Sequence, residues 1–160
     1  MTVDSFDACA NELISFVRAT KRLAHVPVVD GPLLERPAFM LLIGATEHGP
    51  VRPSTLAEVL YLDLSTVSRQ LAALETSGWI ARDRDPDDRR AFLVRITDEG
   101  RQVLGVNLAA RRAVLKDLLT DWSEDERMEF ARLLGLLNKT LEQRSGIPVF
   151  PTPAVRQETT

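Results

Sequence analysis

The chain carries one cysteine, Cys9, and two histidines, His25 and His48, in 160 residues. One thiol cannot close an intrachain disulfide, and one thiol with two imidazoles is too few for a structural zinc site. No apolar run approaches the ~20 residues of a membrane-spanning helix. The opening MTVDSFDACANE places acids where a secretory leader has bases ahead of an apolar core, so a cytoplasmic protein without membrane contact is expected. Catalytic spacings are missing too: there is no G-x-S-x-G, no P-loop, no G-x-G-x-x-G and no H-E-x-x-H. Neither enzyme chemistry nor a metal or other cofactor is expected. Positive charge is not in excess, with 20 Lys plus Arg against 23 Asp plus Glu and a net charge of -3. As a bulk quantity that balance argues against nucleic acid.

What is present is the length and composition of one soluble domain, 44% hydrophobic and 27% charged. The basic residues are nearly all arginine, the exceptions being Lys21, Lys116 and Lys139. Arginine is the planar, bidentate cation suited to phosphates, carboxylates and guanine edges, so its positions matter more than the sum.

Helical spacing of Phe6, Ala10, Leu13, Ile14, Val17 and Leu23 predicts a first helix from Asp4 to Ala24. Pro27, Gly31 and Pro32 then mark a loop, and a second helix is expected from about Leu34 to Glu47, with Pro37 in its first turn and Gly49-Pro50 as its stop. A short helix begins at Pro53 and runs through Leu60, the turn YLD follows, and Asp63 caps a helix from Leu64 to Thr76. There Val67, Leu71 and Leu74 make a buried stripe, opposite Ser65, Ser68, Arg69, Ala72 and Ala73 with Thr66 at the margin. Gly78 ends it as a left-handed cap, and strands are expected at Trp79 to Arg82 and Ala91 to Thr97, separated by the charged loop DRDPDDRR. Helix, turn, helix, strand, charged loop, strand is the order of a winged helix-turn-helix. Thr97 caps a helix to about Asp121, and Ser123 with Glu126 forms a capping box for a last helix carrying Phe130, Leu133, Leu134, Leu137 and Leu141. The tail over 145–160, with Pro148, Pro151 and Pro153, is expected to be extended or disordered.

The stretch RPSTLAEVLYLDLSTVSRQLAALETSGWIARDRDPDDRRAFLVRITDEG resembles the core of the MarR family of bacterial transcription regulators, and Arg82 to Gly100 is close to that family's wing signature. The resemblance implies a mostly α fold with a small antiparallel β wing. The winged helix-turn-helix would span 35–97, and dimerisation helices 1–34 and 98–144. It implies a homodimer on a pseudo-palindromic double-stranded DNA operator, most simply a repressor released by a small anionic or aromatic effector. Ser65, Thr66, Ser68 and Arg69 then fall on the recognition helix, where hydroxyls and an arginine suit the major groove. In the wing, Arg90 takes the place of the family's minor-groove arginine. Asp88, two residues before it, is expected to hold its guanidinium in one orientation, with Arg84 and Arg89 on phosphates.

Plainer readings stand beside these. The polar face of the 64–76 helix could be merely solvated, DRDPDDRR a surface hairpin of compensating ion pairs, and the long terminal helices could pack within one chain. From Arg52 to Ile96 there are seven arginines and seven acids, which leaves open a winged-helix module that contacts protein instead of DNA. Arg18, Arg22, His25 and His48 could approach an effector pocket or be simple surface residues. One branch of the family senses peroxides through a first-helix cysteine. Cys9, however, lacks that branch's Cys-Phe context and nearby tyrosines, so a packed or unreactive thiol is expected over a redox-sensing regulator.

Overall fold

The computed structural model describes residues 4–20, 31–88 and 90–145. Its elements are α1 (Ser5–Thr20), α2 (Arg36–Glu47), α3 (Pro53–Val59), α4 (Leu64–Thr76), β1 (Ile80–Arg84), β2 (Phe92–Ile96), α5 (Asp98–Leu118) and α6 (Glu124–Ser145). The mostly helical class with one small antiparallel wing agrees with expectation. So do the local signals that set the boundaries. Pro53 stands in the first turn of α3, Gly78 takes φ 76°, and the Thr97 hydroxyl accepts the Gly100 N–H at 3.0 Å. Ser123 and Glu126 exchange the two bonds of a capping box, Ser123 N–H to Glu126 Oε2 at 2.7 Å and Glu126 N–H to Ser123 Oγ at 3.3 Å.

The wing pairs Ile80 with Ile96 through to Arg84 with Phe92. It therefore runs two residues further along β1 than the expected Arg82, because the ladder continues until Asp85 turns the chain. A rung that periodicity could not reveal lies on the other edge of β2. Val51 and Val94 exchange both N–H to O=C bonds, at 3.0 and 2.8 Å, so the segment leading into α3 is stitched to the wing two residues before the helix begins. One residue shows no alternation, and a strand of that length leaves no signal in a sequence.

The core gathers Leu41 and Leu42 of α2, Leu56 of α3, Val67, Leu71 and Leu74 of α4, and Val94 and Ile96 of β2. Each fully buried leucine contributes roughly 1.5–3 kcal/mol of transfer free energy. The core does not stop at the wing. Leu104 and Leu108 from the first half of α5 are 3% and 4% exposed and belong to the same cluster. Asn107, between them, is fully buried. Its Oδ1 accepts the Leu34 N–H at 3.0 Å, and its Nδ2 donates to Pro32 O and Val103 O, each at 3.0 Å. One turn on, the Arg111 guanidinium lies over the Phe39 ring, 3.7 Å from its centroid, and donates to Asn107 O at 3.2 Å and Leu34 O at 3.4 Å. Both polar groups of Leu34 are thus engaged by α5, and with Glu35 extended at ψ 154° α2 starts at Arg36 and not at Leu34.

Beyond this junction the helices leave the core. Along all of α1 the described side chains are exposed, Phe6, Ile14 and Phe16 among them. The same holds for Leu115 and Leu118 on α5 and Met128, Leu133, Leu136, Leu137 and Leu141 on α6.

Two substitutions test the junction by urea unfolding. Asn107→Leu keeps the branched shape and the count of side-chain heavy atoms, but it strands the Leu34 N–H and the Pro32 carbonyl and crowds a fully buried site, for an expected loss of about 2–4 kcal/mol. Gly100→Ala would put a Cβ 2.0 Å from the Trp79 carbonyl oxygen, so α5 must shift away from the wing, with an expected loss of about 2–3 kcal/mol.

Candidate nucleic-acid interface

The exposed side of α4 begins at its cap. The Asp63 carboxylate accepts the Thr66 N–H at 2.7 Å and the Ser65 hydroxyl at 2.5 Å, and these bonds hold its pKa far below the usual aspartate range. Because the single proton of Ser65 is committed to Asp63, this hydroxyl turns acceptor lone pairs outward. Ser65, Ser68, Arg69, Ala72 and Ala73 are exposed and Thr66 is half-buried, opposite the buried Val67, Leu71 and Leu74. The result is a shallow face of small and hydroxyl side chains with one arginine.

The wing is organised by an acid that sequence reasoning missed. Asp85 is 4% exposed, and its carboxylate accepts Arg52 Nε at 2.6 Å, the Asp87 N–H at 2.9 Å and the Asp88 N–H at 3.3 Å. Arg52 precedes the first turn of α3, so this pair fastens the loop end of the wing to the helix-turn-helix. The arginine and the backbone donors lower the Asp85 pKa. The D-P-D-D order was the available signal, since an aspartate that accepts backbone N–H groups two and three residues on is a turn former.

At the tip, Asp88 behaves differently from the expectation. Its carboxylate accepts the backbone N–H of Arg90 at 3.0 Å, and its carbonyl accepts the Ala91 N–H at 2.9 Å. No Asp88–Arg90 ion pair exists among the described residues. The brace therefore fixes the backbone that carries Arg90 and leaves the guanidinium free to turn, because the short aspartate reaches the nearer N–H first. Arg84 and Arg90 are exposed; Arg89 lies outside the described residues.

The balance of seven arginines and seven acids resolves into pairs. Arg52 is matched with Asp85, Arg82 with Glu75 at 2.8 Å and Arg95 with Asp83 at 2.8 Å; Arg82 also covers the Phe92 ring at 4.3 Å. Arg69, Arg84 and Arg90 make no ion pair among the described residues. The neutralised arginines build the wing, and the others lie on the exposed side of α4 and along the wing.

Two of the four effector candidates fall among the described residues. Arg18 is exposed on α1, His48 follows α2 with its N–H on Gly44 O, and Arg22 and His25 lie outside the described residues. Beside His48, burial raises the Glu47 pKa, and Glu47 Oε1 has no hydrogen-bond partner among the described residues. An apolar groove of about 500 Å³ occurs elsewhere, where α5 meets α6, floored by Leu115 and Leu119 with Arg112, Lys116 and Arg127 on its rim. Those cations come from two helices, so no spacing in the sequence announces them. Cys9 is exposed on α1, so it is not packed within the protomer. No cluster of three or more metal-ligating side chains occurs among the described residues, and no helix among them is long and apolar enough to cross a membrane.

Together α3, the turn, α4 and the wing define a winged helix-turn-helix transcriptional regulator. The comparisons make the assignment more specific. Residues 34–92 match the model of the MarR family. The chain is 40% identical over 128 residues to an uncharacterized HTH-type transcriptional regulator, YxaD, of Bacillus subtilis (strain 168), covering 80% of this chain and 89% of that protein. A MarR family protein from Bacillus stearothermophilus superposes with a TM-score of 0.73 at 22% identity, covering 88% of this chain and 99% of that one. FabT of Streptococcus pneumoniae, solved in complex with DNA, gives 0.64 at 24% identity, covering 87% and 99%. The chain belongs to the MarR family.

Titration of Asp85 has a definite sign. Because folding lowers its pKa, its contribution is fully present above the ordinary aspartate range and is lost as pH falls through the folded value. Urea midpoints of the parent and Asp85→Asn are therefore expected to differ most near neutrality and to converge on acidification below about pH 4.

Proposed function

We propose that the protein is a homodimeric repressor that places two copies of α4 in successive major grooves of a pseudo-palindromic promoter site and is released by a small anionic or aromatic effector. The observation that carries the reading is the division of the winged unit's arginines: Arg52, Arg82 and Arg95 are paired with acids, while Arg69, Arg84 and Arg90, exposed on α4 and along the wing, make no ion pair among the described residues. Ser65, Thr66, Ser68 and Arg69 read the major groove. An arginine there suits guanine O6 and N7, and Ser65, as an acceptor, suits a cytosine or adenine amino group. Arg90, on a turn stiffened by Asp88, enters the minor groove, and Arg84 and Arg89 take phosphates.

The dimer reading rests on α1, the second half of α5 and α6, where large apolar side chains such as Phe6, Ile14, Leu118, Leu136 and Leu137 are exposed among the described residues. Residues 1–34 and 98–144 are assigned to this function, with the qualification that α5 also closes the winged core through Leu104 and Leu108. Leu137→Glu places a charge in that seam. It is expected to sediment as a monomer and to lose operator binding, since one winged unit reaches one half-site.

A winged-helix module that binds protein in place of DNA is the second reading, favoured by the neutral sum of the unit. One titration separates the two. On the duplex upstream of its own gene, the parent is expected to shift, Arg69→Ala and Arg90→Ala to bind at least ~10-fold more weakly, and log K to fall with log salt with a slope of several units. No shift at low salt, or a slope near zero with both variants unchanged, would sink the DNA reading.

A further inference from the structure

Tyr61 lies in the turn between α3 and α4 and is the one non-glycine among the described residues with φ in the left-handed region, at 51°. There the Cβ of an L-residue crowds the neighbouring carbonyl, and glycine or asparagine is the ordinary occupant. The backbone is held in that conformation from both sides: the Tyr61 N–H reaches Glu58 O at 3.2 Å and the Leu62 N–H reaches Ala57 O at 2.9 Å, while Leu60 and Leu62 pack against the core. The side chain gains nothing from the fold in return. Its ring is 71% exposed, and its hydroxyl has no hydrogen-bond partner among the described residues. A large aromatic kept at a glycine-type position, exposed and with an unused donor, points to a role outside folding.

Its location says which. In a helix-turn-helix the first helix crosses the sugar-phosphate backbone and the N-terminal turn of the second enters the major groove, so the turn between them runs along the groove edge. Tyr61 is two residues before Asp63, the cap of α4. A donor at that edge meets phosphate oxygens before it meets bases. We propose that Tyr61 is a DNA-backbone contact, its phenol hydroxyl donating to a phosphate beside the groove that α4 enters. The inference rests on the DNA-binding reading above. A neutral donor displaces no counterion, so this contact sets the register of α4 and adds affinity without steepening the salt dependence.

The test measures anisotropy of a labelled duplex carrying the upstream site, at several salt concentrations, for the parent, Tyr61→Phe, Tyr61→Gly and Arg69→Ala. Tyr61→Phe keeps the ring and the strained backbone and removes only the donor. It is expected to bind about five- to tenfold more weakly, with the parental salt slope and melting temperature. Tyr61→Gly is expected to bind at least as weakly while melting higher, because the left-handed strain is relieved. If Tyr61→Phe binds within twofold of the parent while Arg69→Ala is weakened, the Tyr61 contact is overturned and the DNA reading survives. A parent that binds no duplex at low salt overturns both.

Discussion

Leu34 gives its N–H to Asn107 and its carbonyl to Arg111, and through those bonds α5 becomes part of the winged unit. The amide is fully buried, so its hydrogen bonds have no competition from water, and losing one would leave a donor or acceptor stranded in the core. Because α5 is a single helix of 21 residues, a first half anchored by Leu104, Asn107 and Leu108 fixes the direction of its second half. At 1.5 Å per residue that rod is roughly 32 Å long. It lies against α2, and α2 lies against α4, so the Leu34 junction helps set the angle between the rod and α4. In a dimer assembled on the outer ends of these rods, half-site spacing would follow from the same angle. An effector that acts on spacing would have to disturb it.

The electrostatics follow a similar logic of local commitment. A net charge of -3 and an equal count of arginines and acids in the winged unit look unsuited to a polyanion. Coulomb interactions in water are short-ranged, with a Debye length of about 8–10 Å, so a duplex at the surface responds to the charges next to it and not to the sum. Asp85, Asp83 and Glu75 are spent on arginines that hold the wing together, and Asp63 and Asp88 on backbone amides that stiffen α4 and the wing tip. Such an arrangement leaves Arg69, Arg84 and Arg90 as exposed cations without an acid partner among the described residues.

Much of this was legible from residue order. Helix caps at Asp63, Thr97 and Ser123, prolines in the first turns of α2 and α3, and the left-handed Gly78 are local devices whose physics is complete within four or five residues, and each stands where it was expected. The buried stripe of α4 was equally visible, because period and burial coincide there. Other features were not. Asn107 reads as one polar residue in an apolar seam until Pro32 and Leu34, more than seventy positions away, come to meet it. Asp85 looked like one of several solvated wing acids, and its partner Arg52 is 33 residues distant. Asp88 was paired with the correct residue but the wrong atom, since spacing reports which side chains share a face and not which donor is nearest.

Residue order thus specified the class of fold, the element boundaries and the exposed face of α4, because helix period, caps and turn chemistry act over a few residues. The way the wing is fastened to α3, the anchoring of α5 in the core, and the pairing that cancels some arginines and spares others were decided only when distant segments packed. Each of these depends on which donor, acceptor or ring comes within a few ångströms of another, and that distance is set by the folded core.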